Sequence, residues 1–110
     1  MSGMITRSRD FCTRVLNVVN DVARQQYTVS MPGAIATLGY EKNGKNITFV
    51  HTDVPQQFQG KGVGKLLAQY AFDHAKEENL QVTCKCHFLA AYYQNNIDKY
   101  KGLKVKLDLE

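Results

Sequence analysis

The first half of the chain alternates hydrophobic and polar residues with a period of two, which is the pattern of half-buried β-strands. Four segments show this alternation: residues 15–19, 26–31, 34–40 and 47–51. A polar bend at residues 20–21, the Pro32-Gly33 pair and the Asn43-Gly44 pair separate them and supply turn chemistry. The alternation places three side chains on one face of the fourth strand: Ile47, Phe49 and His51. These segments predict an antiparallel meander of four strands.

The hydrophobic period changes to about 3.6 in the second half, which indicates helix. One helical face collects seven residues: Val63, Leu66, Leu67, Tyr70, Ala71, His74 and Ala75. They predict a helix from about Gly62 to Glu78, with Asn79 suited to its left-handed end. A fifth strand follows at Leu80, Val82 and Cys84, and a second helix at Phe88, Ala91, Tyr92 and Asn95. Residues 103–107 alternate like a short edge strand or a frayed tail, so the predicted order is ββββαβα, an α+β domain with a mixed sheet.

The length of 110 residues fits one compact domain with one hydrophobic core. We assign residues 13–110 to that domain, and the polar, aperiodic residues 1–12 to a flexible N-terminal arm. The longest apolar run, residues 88–93, is far shorter than the roughly 20 residues that cross a bilayer, and no secretory signal pattern precedes the domain. We therefore expect no membrane association and a reducing intracellular compartment, first of all the cytoplasm.

The net charge of +4 suits a polyanionic ligand, either a nucleic acid or a phosphorylated cofactor, without distinguishing the two. The three cysteines, Cys12, Cys84 and Cys86, are an odd number, and we expect no structural disulfide. Zinc sites need a second pair of ligands with regular spacing, which Cys84-x-Cys86-His87 lacks. No metal is expected.

Three glycines alternate between the fourth strand and the first helix, in the segment Gln59-Gly60-Lys61-Gly62-Val63-Gly64-Lys65. Glycines let the backbone approach a ligand closely, and the N–H groups and dipole at a helix start hold anions. Lys61 and Lys65 add positive charge beside them. The segment predicts a phosphate-binding loop, although a glycine-rich turn that only starts a helix fits the same residues.

The spacing of these glycines excludes two common nucleotide motifs. A Walker loop needs four residues between its first glycine and the Gly-Lys pair, followed by Ser or Thr, whereas Leu66 follows here. A dinucleotide fingerprint needs two residues between its second and third glycines, whereas only Val63 separates Gly62 from Gly64. Neither nucleotide motif therefore accounts for the segment.

The segment resembles the Q/R-x-x-G-x-G/A signature of the GNAT acyltransferase superfamily, which Gln59, Gly62 and Gly64 match in register. The resemblance implies a minimal GNAT-like acyl-CoA N-acyltransferase fold. It also implies that the loop, residues 59–65, binds the pyrophosphate of coenzyme A. The end of the preceding strand, Thr52-Asp53-Val54, is implied to bind the pantetheine through its backbone.

A small GNAT-like N-acetyltransferase family of about this length is more similar still. Its His-Thr-x-Val-Pro motif matches residues 51–55, and its Cys-x-Tyr/Phe-x-x-x-Tyr motif matches Cys86, Phe88 and Tyr92. The match runs from about residue 15 to residue 100. Two prolines usual in the family are replaced by Cys84 and Ile97, of which the first bears on the geometry of the strand end.

Acetyl transfer from a thioester needs a base, a nucleophile and an acid for the departing thiolate. The resemblance points to His51 as general base and to Cys86, at a helix start that favours a thiolate, as carrier or helper of the acetyl group. An ordinary strand histidine and a buried small apolar cysteine are the alternatives. Tyr92 matches a family position and is predicted as a supporting cofactor contact, although an aromatic residue at helical spacing is more often core.

The sequence therefore predicts an enzyme that binds acetyl-coenzyme A and moves the acetyl group to an unidentified acceptor, expected to be an amine. A second hypothesis is an acyl-CoA-binding module with little turnover, because so small a domain offers few elements to enclose an acceptor. A third is a small basic RNA-binding domain, although no recognised RNA motif is present. The sequence leaves the oligomeric state open.

Overall fold

The computed structural model describes residues 17–58 and 60–109, which form one six-stranded sheet and two α-helices. The strands are β1 (Val18–Asp21), β2 (Gln26–Met31), β3 (Ala34–Asn43), β4 (Asn46–Asp53), β5 (Gln81–Cys84) and β6 (Lys104–Leu107). The helices are α1 (Val63–Glu77) and α2 (His87–Asn95), and a short 3-10 turn spans Gln56–Phe58. Among the described residues, no helix is long and apolar enough to cross a membrane.

The strands lie in chain order across the sheet. The pairs β1/β2, β2/β3 and β3/β4 are antiparallel, as expected for strands joined by tight turns. The pairs β4/β5 and β5/β6 are parallel, since α1 and α2 carry the chain back between them. The predicted α+β fold with a mixed sheet is confirmed.

The structure differs from the prediction at the end of the first strand, and it decides between the two alternatives left open for the last segment, an edge strand or a frayed tail. β1 continues through Asp21, because Asn20 and Asp21 pair with Tyr27 and Gln26, so the polar bend was placed too early. Residues 104–107 form a sixth strand that pairs with β5 and takes the edge of the sheet. The predicted arm, residues 1–12, and the first residues of the predicted first strand lie outside the described part of the chain.

Both helices pack on the same face of the sheet, where they enclose the core. The ring of Phe72 on α1 lies 5.2 Å from that of Phe49 on β4 and 5.6 Å from that of Tyr92 on α2. Phe72 also contacts the ring of Tyr100, which is fully buried. The loop after α2 is thereby fixed against α1, and the opposite face of the sheet, which we call the open face, carries no α-helix among the described residues.

A β-bulge in β4 changes which face its last residues occupy. Tyr40 pairs with Phe49 and Gly39 pairs with His51, so Val50 is an extra residue on β4. Because a one-residue insertion reverses the alternation, His51 lies on the open face with Gly39. The prediction that His51 shares a face with Phe49 was wrong, since a strict period of two cannot register a bulge.

Candidate active site

The parallel strands β4 and β5 separate beyond one residue pair. Their last partners are Phe49 and Cys84, and the N–H of Lys85 donates to the carbonyl of Phe49 at 3.0 Å. β4 then continues to Asp53, whereas β5 ends at Cys84. A gap therefore opens between the strand ends, with backbone groups of β4 on its rim.

A pocket of about 470 Å³ adjoins this gap. It is lined by the end of β4, the 3-10 turn, the glycine loop and the start of α2, namely Thr52, Val54, Phe58, Gly60, Gly62, Val63, Gly64, Lys65 and Phe88. The structure thus brings together seven of the residues predicted from the sequence as cofactor contacts.

The glycine loop starts α1 with a left-handed backbone. Gly60 and Gly62 have φ angles of 78° and 72°, and Gly62 is the N-cap of the helix. Leu66 donates its N–H to the carbonyl of Gly62 at 3.0 Å, closing the first helical turn. The three preceding N–H groups, of residues 63–65, are those that a helix leaves without an intrahelical partner. Such groups favour an anion at the pocket wall.

Gly64 allows the first turn of α1 to approach α2 closely. A Cβ atom placed on it would lie 3.1 Å from Cζ of Phe88 and 3.5 Å from a methyl carbon of Val54. The first of these distances is tighter than ordinary van der Waals contact, so a side chain at this position would push against the Phe88 ring. The absence of a side chain at Gly64 therefore lets Phe88 and Val54 lie close to α1 at the pocket wall.

The other residues predicted as cofactor contacts do not all line the pocket. Lys65 lines the pocket, whereas Lys61 is exposed and its N–H donates to the carbonyl of Phe58 at 3.2 Å. Asp53 is exposed on the open face, where it pairs with Thr37. Gln59 lies outside the described residues.

Thr52 and Cys86 meet across the gap between the strands. The hydroxyl oxygen of Thr52 lies 3.7 Å from the Sγ of Cys86, which is half-buried and occupies the N-cap position of α2. Thr52 pairs with Leu38 and so points to the helix side of the sheet. The Cys86 thiol therefore lies beside Thr52, which lines the pocket, although Cys86 is not itself one of the lining residues.

The neighbouring thiol of Cys84 is fully buried in the core. Burial, with a smaller contribution from Cys86, raises the pKa of Cys84 to about 12. A thiol that stays protonated at neutral pH is a poor nucleophile. Of the two cysteines, only Cys86 has the exposure that chemistry at this site requires.

His51 is exposed on the open face, whereas Cys86 packs on the helix side. The two residues predicted as catalytic thus flank the gap from opposite faces of the sheet. The imidazole ring extends over Gly39 of β3. No pattern in the sequence indicates this arrangement, because it results from the bulge at Val50.

Tyr92 is buried, and its hydroxyl lies 3.0 Å from that of Tyr100 inside the core. It also borders a second hollow of about 410 Å³ that shares Lys65 and Phe88 with the first pocket. The hydroxyl is engaged within the protein, so a cofactor contact by Tyr92 would use its ring. His74, which the helical period places on the apolar face of α1, lies 2.9 Å from the Tyr27 hydroxyl through its Nδ1.

Two aromatic residues of the pocket, Phe58 and Phe88, were not predicted as site residues. Phe58 is buried below the glycine loop, whereas Phe88 is 45% exposed. The signal for Phe88 was its place in the Cys-x-Tyr/Phe motif, and for Phe58 its position as an isolated apolar residue just before the glycines. Within residues 17–58 and 60–109, no group of three or more His, Cys, Asp or Glu side chains is placed to hold a metal ion.

Most of this chain is similar in sequence to known proteins. The model of the GCN5-related N-acetyltransferase family matches residues 18–103. Protein NATD1 from Gallus gallus is 37% identical over 84 residues, which cover 74% of this chain and 76% of that protein. Protein NATD1 from Danio rerio is 33% identical over 90 residues, which cover 79% and 81% of the two chains.

A solved structure has the same fold. The solution structure of a candidate GCN5-like N-acetyltransferase from Staphylococcus aureus superimposes with a TM-score of 0.62 at 26% sequence identity. The superposition covers 86% of this chain and 92% of the other. The two chains therefore share the fold over nearly their whole length.

Proposed function

The chain belongs to the GCN5-related N-acetyltransferase family, and on this premise we propose that it transfers an acetyl group from acetyl-coenzyme A to an amine. One observation carries the proposal. A single pocket runs from the unpaired amides at the start of α1 to Thr52, which contacts Cys86 beside the gap between β4 and β5. An anion-binding end and a reactive end are what a long phosphorylated thioester requires.

The glycine loop would hold the diphosphate of the cosubstrate. The N–H groups of residues 63–65 supply donors, and Lys65 supplies a positive charge at the same wall. The pantetheine arm contains amide groups that need hydrogen-bond partners. The exposed backbone of β4 beyond Phe49, which has lost its pairing with β5, offers them.

The acceptor would approach from the open face, where His51 is accessible. In direct transfer, the nitrogen lone pair of the amine attacks the thioester carbonyl carbon. The proton released by the nitrogen passes to the His51 imidazole. Collapse of the tetrahedral intermediate breaks the C–S bond, and the electron pair leaves with the coenzyme A thiolate. Asp53, two residues further along the same strand face, attracts a cationic acceptor, whose ammonium group must first release one proton to solvent before its nitrogen can attack.

A covalent route would pass the acetyl group first to the Sγ of Cys86, with release of the coenzyme A thiolate, and then to the amine. This route needs a base for the thiol, and His51 lies on the other face of the sheet. We therefore favour direct transfer, with Cys86 and Thr52 forming the wall against which the acetyl group is held.

The test is to incubate the full chain with acetyl-coenzyme A and a panel of primary amines, and to follow free coenzyme A and acetylated amine by chromatography and mass spectrometry. Coenzyme A and product formed in equal amounts support the proposal. Tight binding of acetyl-coenzyme A without product from any amine would favour an acyl-CoA-binding module instead.

A further inference from the structure

Gly39 is buried although it lies on the open face of the sheet, and the imidazole of His51 extends over it. A Cβ atom placed on Gly39 would lie 2.7 Å from Cε1, 3.2 Å from Nδ1 and 3.3 Å from Nε2 of His51. Real Cβ atoms essentially never approach another atom to less than 3.0 Å. The ring edge that carries both nitrogens therefore occupies the space that any other side chain would fill.

The backbone at this position does not itself require glycine. Four glycines of the described chain have a positive φ angle, namely Gly33, Gly44, Gly60 and Gly62, and Gly39 is not among them. Glycine in a strand interior is less stable than alanine, because it loses more conformational freedom on folding. The feature that glycine permits here is the close approach of the imidazole.

The bulge at Val50 and the glycine act together. The bulge turns His51 to the open face, and the missing Cβ lets its ring settle against β3 beside the gap between β4 and β5. We propose that Gly39 is a positioning residue that seats the His51 imidazole for proton transfer. The catalytic part of this proposal rests on the proposed acetyl transfer. The contact between the His51 ring and Gly39 can be measured without any activity.

A matched pair of variants tests it. Gly39→Ala must move the ring, because the clash involves the end of a side chain and not the backbone. Gly102→Ala is the control, since a Cβ there would meet nothing within 4 Å and φ is not positive. We expect kcat to fall about 10- to 100-fold in Gly39→Ala, the effect of a misplaced catalytic group. Affinity for coenzyme A should stay within about twofold, because Gly39 lies outside the pocket.

A double-mutant cycle separates positioning from a general structural role. In a His51→Ala background, Gly39→Ala should cost no further activity, because the glycine acts only through the imidazole. An equal loss in both backgrounds would overturn the proposal. So would an unchanged kcat in Gly39→Ala when its His51 ring has moved.

Nuclear magnetic resonance of the wild-type chain keeps the test independent of both turnover and variant folding. We expect nuclear Overhauser contacts between the His51 Hε1 and the Gly39 Hα protons, and altered ring shifts in Gly39→Ala. Absence of these contacts in the wild type would overturn the proposal that Gly39 positions the His51 ring. If the contacts are present and the chain transfers no acetyl group, the ring is positioned as described and the proposed reaction is wrong.

Discussion

The hydroxyl of Thr52 and the thiol of Cys86 lie 3.7 Å apart, across the gap that opens where β4 and β5 stop pairing. One belongs to β4 beyond its bulge, and the other begins α2. Without the extra residue at Val50, strict alternation would turn Thr52 to the open face and remove this contact. The bulge thus places the Thr52 side chain in the pocket and the His51 side chain on the open face of the sheet.

The two described cysteines should differ sharply in reactivity. In a Cys12→Ser background, iodoacetamide at pH 8 should modify Cys86 many times faster than Cys84, because burial keeps the Cys84 thiol protonated with its pKa raised to about 12. Peptide mapping by mass spectrometry gives the two rates. Coenzyme A should protect Cys86, and equal rates for the two thiols would contradict the described site.

Direct transfer predicts an unmodified enzyme in the absence of acceptor. The chain incubated with acetyl-coenzyme A alone should keep its intact mass at every time point, because His51, the predicted base, lies on the opposite face of the sheet from Cys86. Cys86→Ala is the matched control. One acetyl group on the wild type that is missing from this variant would establish the covalent route.

A negative charge in the glycine loop should abolish binding of coenzyme A. Gly62→Asp places a carboxylate where the diphosphate is proposed to lie, and we expect the affinity to fall at least about 100-fold from like-charge repulsion and lost approach. Gly44→Asp is the control. Gly44 has a similar left-handed φ of 63° but lies in the β3–β4 turn, so it shares the backbone strain without the ligand. Equal affinity in both variants would exclude the loop from the site.

Alkaline pH should destabilise the fold. Burial raises the pKa of Cys84 to about 12, and also raises the pKa values of Tyr27 and Tyr100. Above about pH 9 the unfolded chain loses these protons, given ordinary values of about 8.5 and 10, while the folded chain keeps them. The unfolded state then binds fewer protons, so the free energy of unfolding falls as pH rises from about 9 to 12. Urea unfolding at several pH values from about 9 to 12 measures this dependence. The free energy of unfolding should fall less steeply with pH in Cys84→Ala than in the wild type. A free energy of unfolding that does not change with pH in the wild type would contradict the raised pKa values of the buried groups.

The buried hydroxyl of Tyr100 should stabilise the fold through two hydrogen bonds. It donates to the carboxylate of Asp73 at 2.9 Å and lies 3.0 Å from the hydroxyl of Tyr92. Tyr100→Phe should lower the free energy of unfolding by about 1–3 kcal/mol, because two polar partners lose a bond. Tyr70→Phe, at a position 40% exposed, should change it by less than about 0.5 kcal/mol. Equal effects would contradict the network.

Local patterns sufficed for much of the fold and for the place of the glycine loop at the start of α1. The alternation in residues 26–31 and the helical period after residue 62 both reflect which side chains face the core. The strand and the helix that they predict end within a residue or two of the observed bounds. The place of Gly62 at the start of the helix could be predicted because the glycine spacing and the onset of the helical period coincide in the sequence. His51 was misplaced because a bulge is defined by pairing with β3, and the pairing partners are distant in sequence.

Isothermal titration of the full chain with coenzyme A tests the central claim most directly, because it measures cofactor binding in the pocket and needs no acceptor. We predict one-to-one binding with measurable heat, and a melting temperature that rises with ligand concentration. A titration without heat, together with an unchanged melting temperature at millimolar coenzyme A, would contradict the account.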